Sequence, residues 1–249
     1  MINKIENKSV DLFEHQLKKS YDKAETHLKG HVIIVDNKDN RVIVDKDNVI
    51  VLRGRTFALE KMFNVSNELN LGYNTSNLDS KRICLFKVGD GGCVDESQPF
   101  NIVAVAPDCT KLNHELPFKL AIEGEDKPEG YFEAKELDDE SGNIGYFCKT
   151  FDNIEWVYND VTNDEVAVKL TLTIDEDDFK TIYSLDENNE AEYTRDCFIN
   201  EIGLCIANGD TSDTSDGMSN IELATRLTFE SEPMFNQLKS ITIYYYIYA

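Results

Sequence analysis

The sequence predicts a mainly β protein: a β-sandwich-like domain with an N-terminal helix and one or two short helices. Three observations carry that reading. Glu165 to Ile174 alternates, with Val166, Val168, Leu170, Leu172 and Ile174 on one face and Lys169, Thr171 and Thr173 on the other, the period of a half-buried strand. Two β-branched runs, Val32 to Val35 and Arg41 to Val44, flank the turn residues Asp36-Asn37-Lys38-Asp39-Asn40. The chain closes on Ser-Ile-Thr-Ile-Tyr-Tyr-Tyr-Ile-Tyr-Ala, apolar or aromatic on both faces. Such a segment is either a central strand or an oligomer interface, because left exposed it would aggregate.

In chain order, residues 9–29 place Val10, Leu17 and Ala24 on one line with Phe13, Tyr21 and Leu28 beside it, and Gly30 follows. That spacing is helical, with a suitable stop. A coiled-coil arm and a helix docked on its own domain or on a neighbouring subunit both fit it. We divide the chain into an N-terminal helical arm, residues 1–30, and a β-rich structural domain, residues 31–249, holding a less defined insertion at residues 111–195. Asn48 to Leu52 reads as a third strand. Arg53-Gly54-Arg55 then breaks the pattern, and Thr56 to Phe63 reads as a short helix with Phe57, Leu59 and Phe63 inward. Residues 64–80, rich in Asn and Ser, suit a surface loop.

Ile83 to Val88 is an apolar strand that ends in Gly89-Asp90-Gly91-Gly92, read as a tight turn needing positive φ. Lys111 to Phe118 fits no single pattern. Residues 121–145, acidic and Gly-rich, suit exposed loops or an edge hairpin. Asp196 to Ala207 is a mostly apolar strand with a bulge expected at Gly203. After the polar loop Asn208 to Asn220, Leu223 to Phe229 and Lys239 to Tyr248 read as two further strands.

Charge narrows the range of partners. Twenty-five Lys and Arg against 47 Asp and Glu give a net charge of −22 over 249 residues. That argues against direct nucleic-acid binding and against docking on an anionic membrane, both of which need clustered cations. No apolar signal region opens the chain, and no run approaches the ~18 apolar residues of a membrane span, so the expected place of synthesis is a cytoplasm. The six cysteines, Cys84, Cys93, Cys109, Cys148, Cys197 and Cys205, form no CxxC pair, and the histidines are His15, His27, His31 and His114. A zinc site needs closer Cys or His pairs. Apolar contexts such as Ile-Cys-Leu-Phe fit reduced thiols acting as small hydrophobes.

Candidate constellations each have a plainer account. The Gly89 to Gly92 turn lacks the Lys-Ser/Thr and helix of a phosphate loop. Asp210, Asp213 and Asp216 are three apart, off the register of an EF-hand, so a solvated loop is favoured and a calcium site is the alternative. Asp175 to Asp178 and Glu136 to Glu140 read as solvated charge runs. No Ser or Cys nucleophile lies near a histidine base, and no Gly-x-Ser-x-Gly elbow occurs. Paired carboxylates for glycoside chemistry stay open, but no one pair stands out. Trp156 with Tyr131, Phe132, Tyr146 and Phe147 suits either a sugar platform or core and edge aromatics. We therefore assign no catalytic, cofactor-binding or metal-binding residue, expect no cofactor, and expect a protein that is not an enzyme.

Three blocks, in order, resemble structural proteins of tailed-bacteriophage virions. They are Asn48 to Phe63, with its strand, Gly-Arg and helix; the Phe86-Lys-Val-Gly-Asp-Gly-Gly92 turn followed by a Pro-bearing stretch; and Ile199 to Leu204, Leu223 to Phe229 and Ile241 to Tyr248. The resemblance implies a non-enzymatic, multi-copy virion component of the neck, tail or baseplate, assembled in the host cytoplasm and contacting copies of itself and other virion proteins. A capsid decoration or accessory protein, and a carbohydrate-binding or hydrolytic receptor-binding module, are the alternatives. The resemblance does not extend over residues 111–195.

Overall fold

A computed structural model describes residues 28–63, 80–94, 100–122, 124–137, 143–158, 166–178, 198–209, 218–233 and 240–248. The strands are β1 (Lys29–Asp36), β2 (Arg41–Ile50), β3 (Lys81–Gly89), β4 (Glu115–Leu116), β5 (Lys119–Leu120), β6 (Tyr131–Glu136) and β7 (Ile144–Thr150). They continue with β8 (Asn153–Tyr158), β9 (Val166–Ile174), β10 (Phe198–Asn208), β11 (Ser219–Leu223), β12 (Thr225–Pro233) and β13 (Ile241–Tyr248). Helix α1 (Leu52–Phe63) follows β2, and residues 176–178, the last ones described after β9, are helical. The protein is mainly β. The expected N-terminal helix lies outside the described residues, and Lys29 and Gly30, placed in the arm by sequence, already belong to β1.

The ladders build one continuous antiparallel sheet, not the two stacked sheets expected of a sandwich. Its order is β5-β7-β3-β10-β12-β2-β1-β13-β9-β8, with β4, β6 and β11 pairing off this path. The sheet curls into a half-barrel. Phe151 and Asp152 alone separate β7, near one end of the path, from β8 at the other, so the two ends meet at a seam. There the Asp152 N–H donates to the Thr171 carbonyl at 2.9 Å. Inside the curl, side chains from opposite ends share one core, including Val32, Phe86, Leu172, Ile202, Leu204 and Tyr245. A second cluster on the other side of β3, β7 and β10 holds Leu85, Leu112, Phe132, Cys148, Cys205 and Leu223.

Several local expectations are corrected. The third strand is the end of β2, and α1 begins at Leu52 and runs through Arg53-Gly54-Arg55. Glycine sits in this helix because the helix lies on the sheet: a Cβ on Gly54 would stand 2.2 Å from the Ala224 carbonyl oxygen. Phe57 faces inward onto Ile206 and Ala224, but Leu59 is exposed. The turn after β3 does not depend on positive φ, since Gly89, Gly91 and Gly92 are absent from the residues that adopt it. It depends on close approach: a Cβ on Gly92 would meet the Asn200 carbonyl oxygen at 2.1 Å. Gly203 pairs regularly with Lys87, and the register shifts of β10 lie between Ile199 and Glu201, between Cys205 and Ile206, and between Ile206 and Asn208. Within residues 121–145, expected as exposed loops or an edge hairpin, β6 pairs with β7, but β7 begins only at Ile144 and runs on to Thr150, so the hairpin reaches beyond that range. The final strand is central, between β1 and β9.

Candidate functional site

Buried charges mark the places where this chain departs from a simple β core. Lys87 is the one cation in the apolar run of β3, and its strand geometry turns it toward β4 and β6. Its Nζ lies 2.9 Å from Glu115 Oε1 and 2.5 Å from Glu133 Oε2. Lys135 closes the figure, with Nζ 2.7 Å from Glu115 Oε2 and 3.2 Å from Glu133 Oε1. The four residues form a ring of alternating charge in which each carboxylate divides its two oxygens between the two lysines. Glu133 reaches it from a left-handed backbone, φ 60°, a conformation costing a non-glycine residue about 1–2 kcal/mol. The Cys148 thiol donates to Glu133 Oε2 at 3.3 Å from below.

The electrostatics follow from the geometry. Burial works against the Lys87 ammonium, but its titratable neighbours, Cys148 and Cys205 first and then Glu133 and Glu115, outweigh it and hold its pKa above the usual lysine range. Burial alone would raise the Glu115 carboxyl, yet Lys87 and Lys135 hold it below the usual carboxylate range. Burial pushes the Cys148 thiol well up and the Cys84 thiol up to about 11. Both therefore stay neutral thiols, poor nucleophiles. Each charge in the ring is balanced by two opposite ones, which suits a brace joining β3, β4 and β6.

A second buried cluster fixes the loop before β4. Glu201 is fully buried and takes hydrogen bonds on Oε2 from Arg226 Nη2 at 2.6 Å and Nε at 3.1 Å. It also accepts the N–H groups of Asn113 at 3.1 Å and His114 at 2.9 Å. Arg226 Nη1 lies 3.1 Å from the Cys109 sulfur. A third cluster ties α1 down: Arg53 bridges Glu60 at 2.9 Å and Glu222 at 3.0 Å, and Lys81 lies 3.5 Å from Glu222.

Of the histidines, His31 is buried between two acids, with Nδ1 2.8 Å from Asp47 and Nε2 2.8 Å from Asp45. Strand register extends this contact into one cross-strand row, Asp47, His31, Tyr246, Lys169 and Glu155. His114 pairs with Asp90, and His15 and His27 lie outside the described residues. So do Asp210, Asp213 and Asp216, together with Cys197. The other five cysteines are in no disulfide among the described residues. Among the described residues, no group of three or more His, Cys, Asp or Glu gathers as a metal site, and no helix is long and apolar enough to cross a membrane.

The aromatic set does not converge on one surface. Tyr131, Phe132, Tyr146 and Phe147 are buried, whereas Trp156 stands exposed on β8. The run Asp175 to Asp178 is not wholly solvated, since Asp178 is fully buried. Sequence reading passed over the ring and the Glu201 cluster, although a signal was present. A charged residue inside an apolar strand, as in Leu-Phe-Lys87-Val or Ile-Asn-Glu201-Ile, requires a buried partner.

No family model, curated protein or solved structure matches the chain. Fold and clusters together define a mainly β protein built on one curled antiparallel sheet, braced by buried ion pairs.

Proposed function

We propose that this chain is a non-enzymatic structural component of a tailed-phage virion, in the neck, tail or baseplate, contacting copies of itself and other virion proteins. One observation carries the reading. The three blocks that resemble such proteins, far apart in sequence, come together in space. Strands β2, β12, β10 and β3 are consecutive in the sheet, α1 lies against Ala224 and Ile206, and β13 follows one strand beyond β2. Four strands and a helix from the three blocks thus adjoin one another, with β1, which lies outside the blocks, standing between them and β13. The braced charge clusters suit the same role, because a particle subunit must hold its shape under load.

The test is to purify tailed-phage particles carrying a tagged copy of this chain and locate it in a map of the particle. The expected result is a stoichiometric, symmetric set of copies in the neck, tail or baseplate. Density on the capsid surface would support decoration instead. Loss of the chain on particle purification would overturn the proposal.

A further inference from the structure

At the seam of the curled sheet, Lys149 of β7 meets Asp178 of the segment after β9, with Nζ 2.5 Å from Oδ2. Asp178 is fully buried and the Lys149 side chain is 11% exposed. Other groups converge on the pair. The Tyr131 hydroxyl donates to Asp178 Oδ1 at 2.7 Å, and the Asp175 N–H donates to Oδ2 at 2.9 Å. The Asp175 carboxylate lies 3.3 Å from Nζ on its other side, and Nζ also donates to the Thr173 carbonyl at 3.0 Å. The Tyr131 ring, centred 5.3 Å from Nζ, helps to shut out water.

Part of this is helix capping: Asp175 Oδ1 accepts the Asp178 N–H at 2.9 Å, and Asp178 returns the bond. Capping and an ion pair do not account for the rest. An amine, a carboxyl group and a hydrogen-bond donor on each carboxyl oxygen stand buried within hydrogen-bond reach of one another, and the half-exposed Asp175 carboxylate lies beside the amine. These are the parts of an amide condensation, already in place.

We propose that Lys149 and Asp178 join in an intramolecular isopeptide bond, formed by the folded chain itself. Burial pushes the Asp178 carboxyl up, against the pull of Lys149. The step starts from the proton of Nζ passed to Asp178 Oδ2 across their hydrogen bond. Nζ attacks Cγ, the Nζ–Cγ bond forms, and the carbonyl electron pair moves onto Oδ1. The Tyr131 O–H stabilises that oxyanion. Burial raises the Tyr131 pKa as well, so the group stays a donor. The Asp175 carboxylate accepts the proton lost by Nζ and delivers it to Oδ2. The oxyanion collapses, the Cγ–Oδ2 bond breaks, and one water leaves. The products are a secondary amide and water, and the step needs no oxidant, reductant or cofactor. The bond closes the seam covalently between β7 and the segment that follows β9.

Intact-mass measurement of the folded full-length chain, fresh and after several days, tests this directly. The expected mass is one water below that of the sequence, and digestion should yield a branched peptide joining Lys149 to Asp178. Lys149→Arg keeps the cation but lacks the amine and should retain the full sequence mass. Tyr131→Phe and Asp175→Asn should slow bond formation by roughly 10²-fold, the size of a lost general acid–base or oxyanion contact. A merely structural role would leave every mass at the sequence value. Full sequence mass in the folded wild-type chain would overturn the proposal, as would a water loss that persists in Lys149→Arg.

Discussion

The Tyr245 hydroxyl on β13 donates to Thr225 Oγ1 on β12 at 2.5 Å, although β2 and β1 lie between those strands in the sheet. The contact exists because the sheet curls far enough for strands three apart to face each other across its core. Thr225 Oγ1 also accepts the Leu204 N–H at 3.1 Å, and Asn48 Nδ2 donates to the Tyr245 oxygen. A polar chain therefore crosses an otherwise apolar interior and fixes which strands meet. Tyr245 is fully buried, and burial pushes its pKa up, so the hydroxyl remains a donor.

Removing that hydroxyl tests how much the crossing contributes. Tyr245→Phe keeps the ring and leaves Asn48 and Thr225 each without one buried partner. The expected cost is about 1–3 kcal/mol, the penalty for an unsatisfied buried polar group. Urea unfolding would read it as a lower midpoint at unchanged slope. An unchanged midpoint would mean the interior relaxes around the loss.

Deleting the last strand should do far more. β13 pairs over its whole length with β1 on one side and β9 on the other, from Tyr248↔Lys29 to Ile241↔Asp36 and from Tyr248↔Ala167 to Ile241↔Ile174. A chain ending at Ser240 would expose both neighbours and the core side chains Ile241, Ile243 and Tyr245 cover. Burying one such side chain is worth about 1.5–3 kcal/mol, so the loss of three approaches the whole stability of a domain. We expect no soluble folded protein. Cooperative thermal melting of the truncated chain would show β13 to be peripheral.

The ion ring makes a graded prediction. Lys87 is nearly buried and serves two carboxylates, while the Lys135 side chain is 40% exposed. Lys87→Met removes the buried cation and leaves Glu115 and Glu133 under-compensated, at a cost of about 3 kcal/mol. Lys135→Met removes a solvent-screened partner and should cost under about 1 kcal/mol. Denaturant unfolding of both variants checks the order. Equal costs would show that the two lysines act as equivalent surface charges.

The sequence carried the strands better than their partners. The alternation from Val166 to Ile174 announces β9 because each side chain reports its own face, and a two-faced apolar tail announces a central strand. Pairing is set by residues elsewhere: nothing near Gly203 tells whether β3 opposite it stays in register, and the shifts fall around it. The same limit hides the charge clusters. Lys87 and Glu201 stand out within apolar runs, but their partners Glu115 and Arg226 lie 28 and 25 residues away in segments with no pattern pointing back. Asp178 is the hardest case. An acidic run reads as solvated until the fold turns one of its members inward against Lys149.

Acid titration separates the ring from a general loss of charge. Glu115 has its carboxyl held below the usual range because Lys87 and Lys135 outweigh the effect of burial. In the unfolded chain the same group titrates near the ordinary glutamate value of about 4.3. Between the two values the unfolded state binds more protons than the folded one, so stability falls as pH falls. The contribution of Glu115 is complete above the ordinary value and is lost as pH drops through the lowered one. In Lys87→Met the foremost counter-charge is gone, and the folded carboxyl moves back toward its unfolded value. The variant should therefore show a shallower loss of stability in acid, and its deficit relative to wild type should shrink as pH falls below about 4. Unfolding midpoints of both chains, measured at several pH values across that range, give the comparison. A deficit that stays constant with pH would mean that Lys87 acts through packing of its aliphatic stem and not through Glu115.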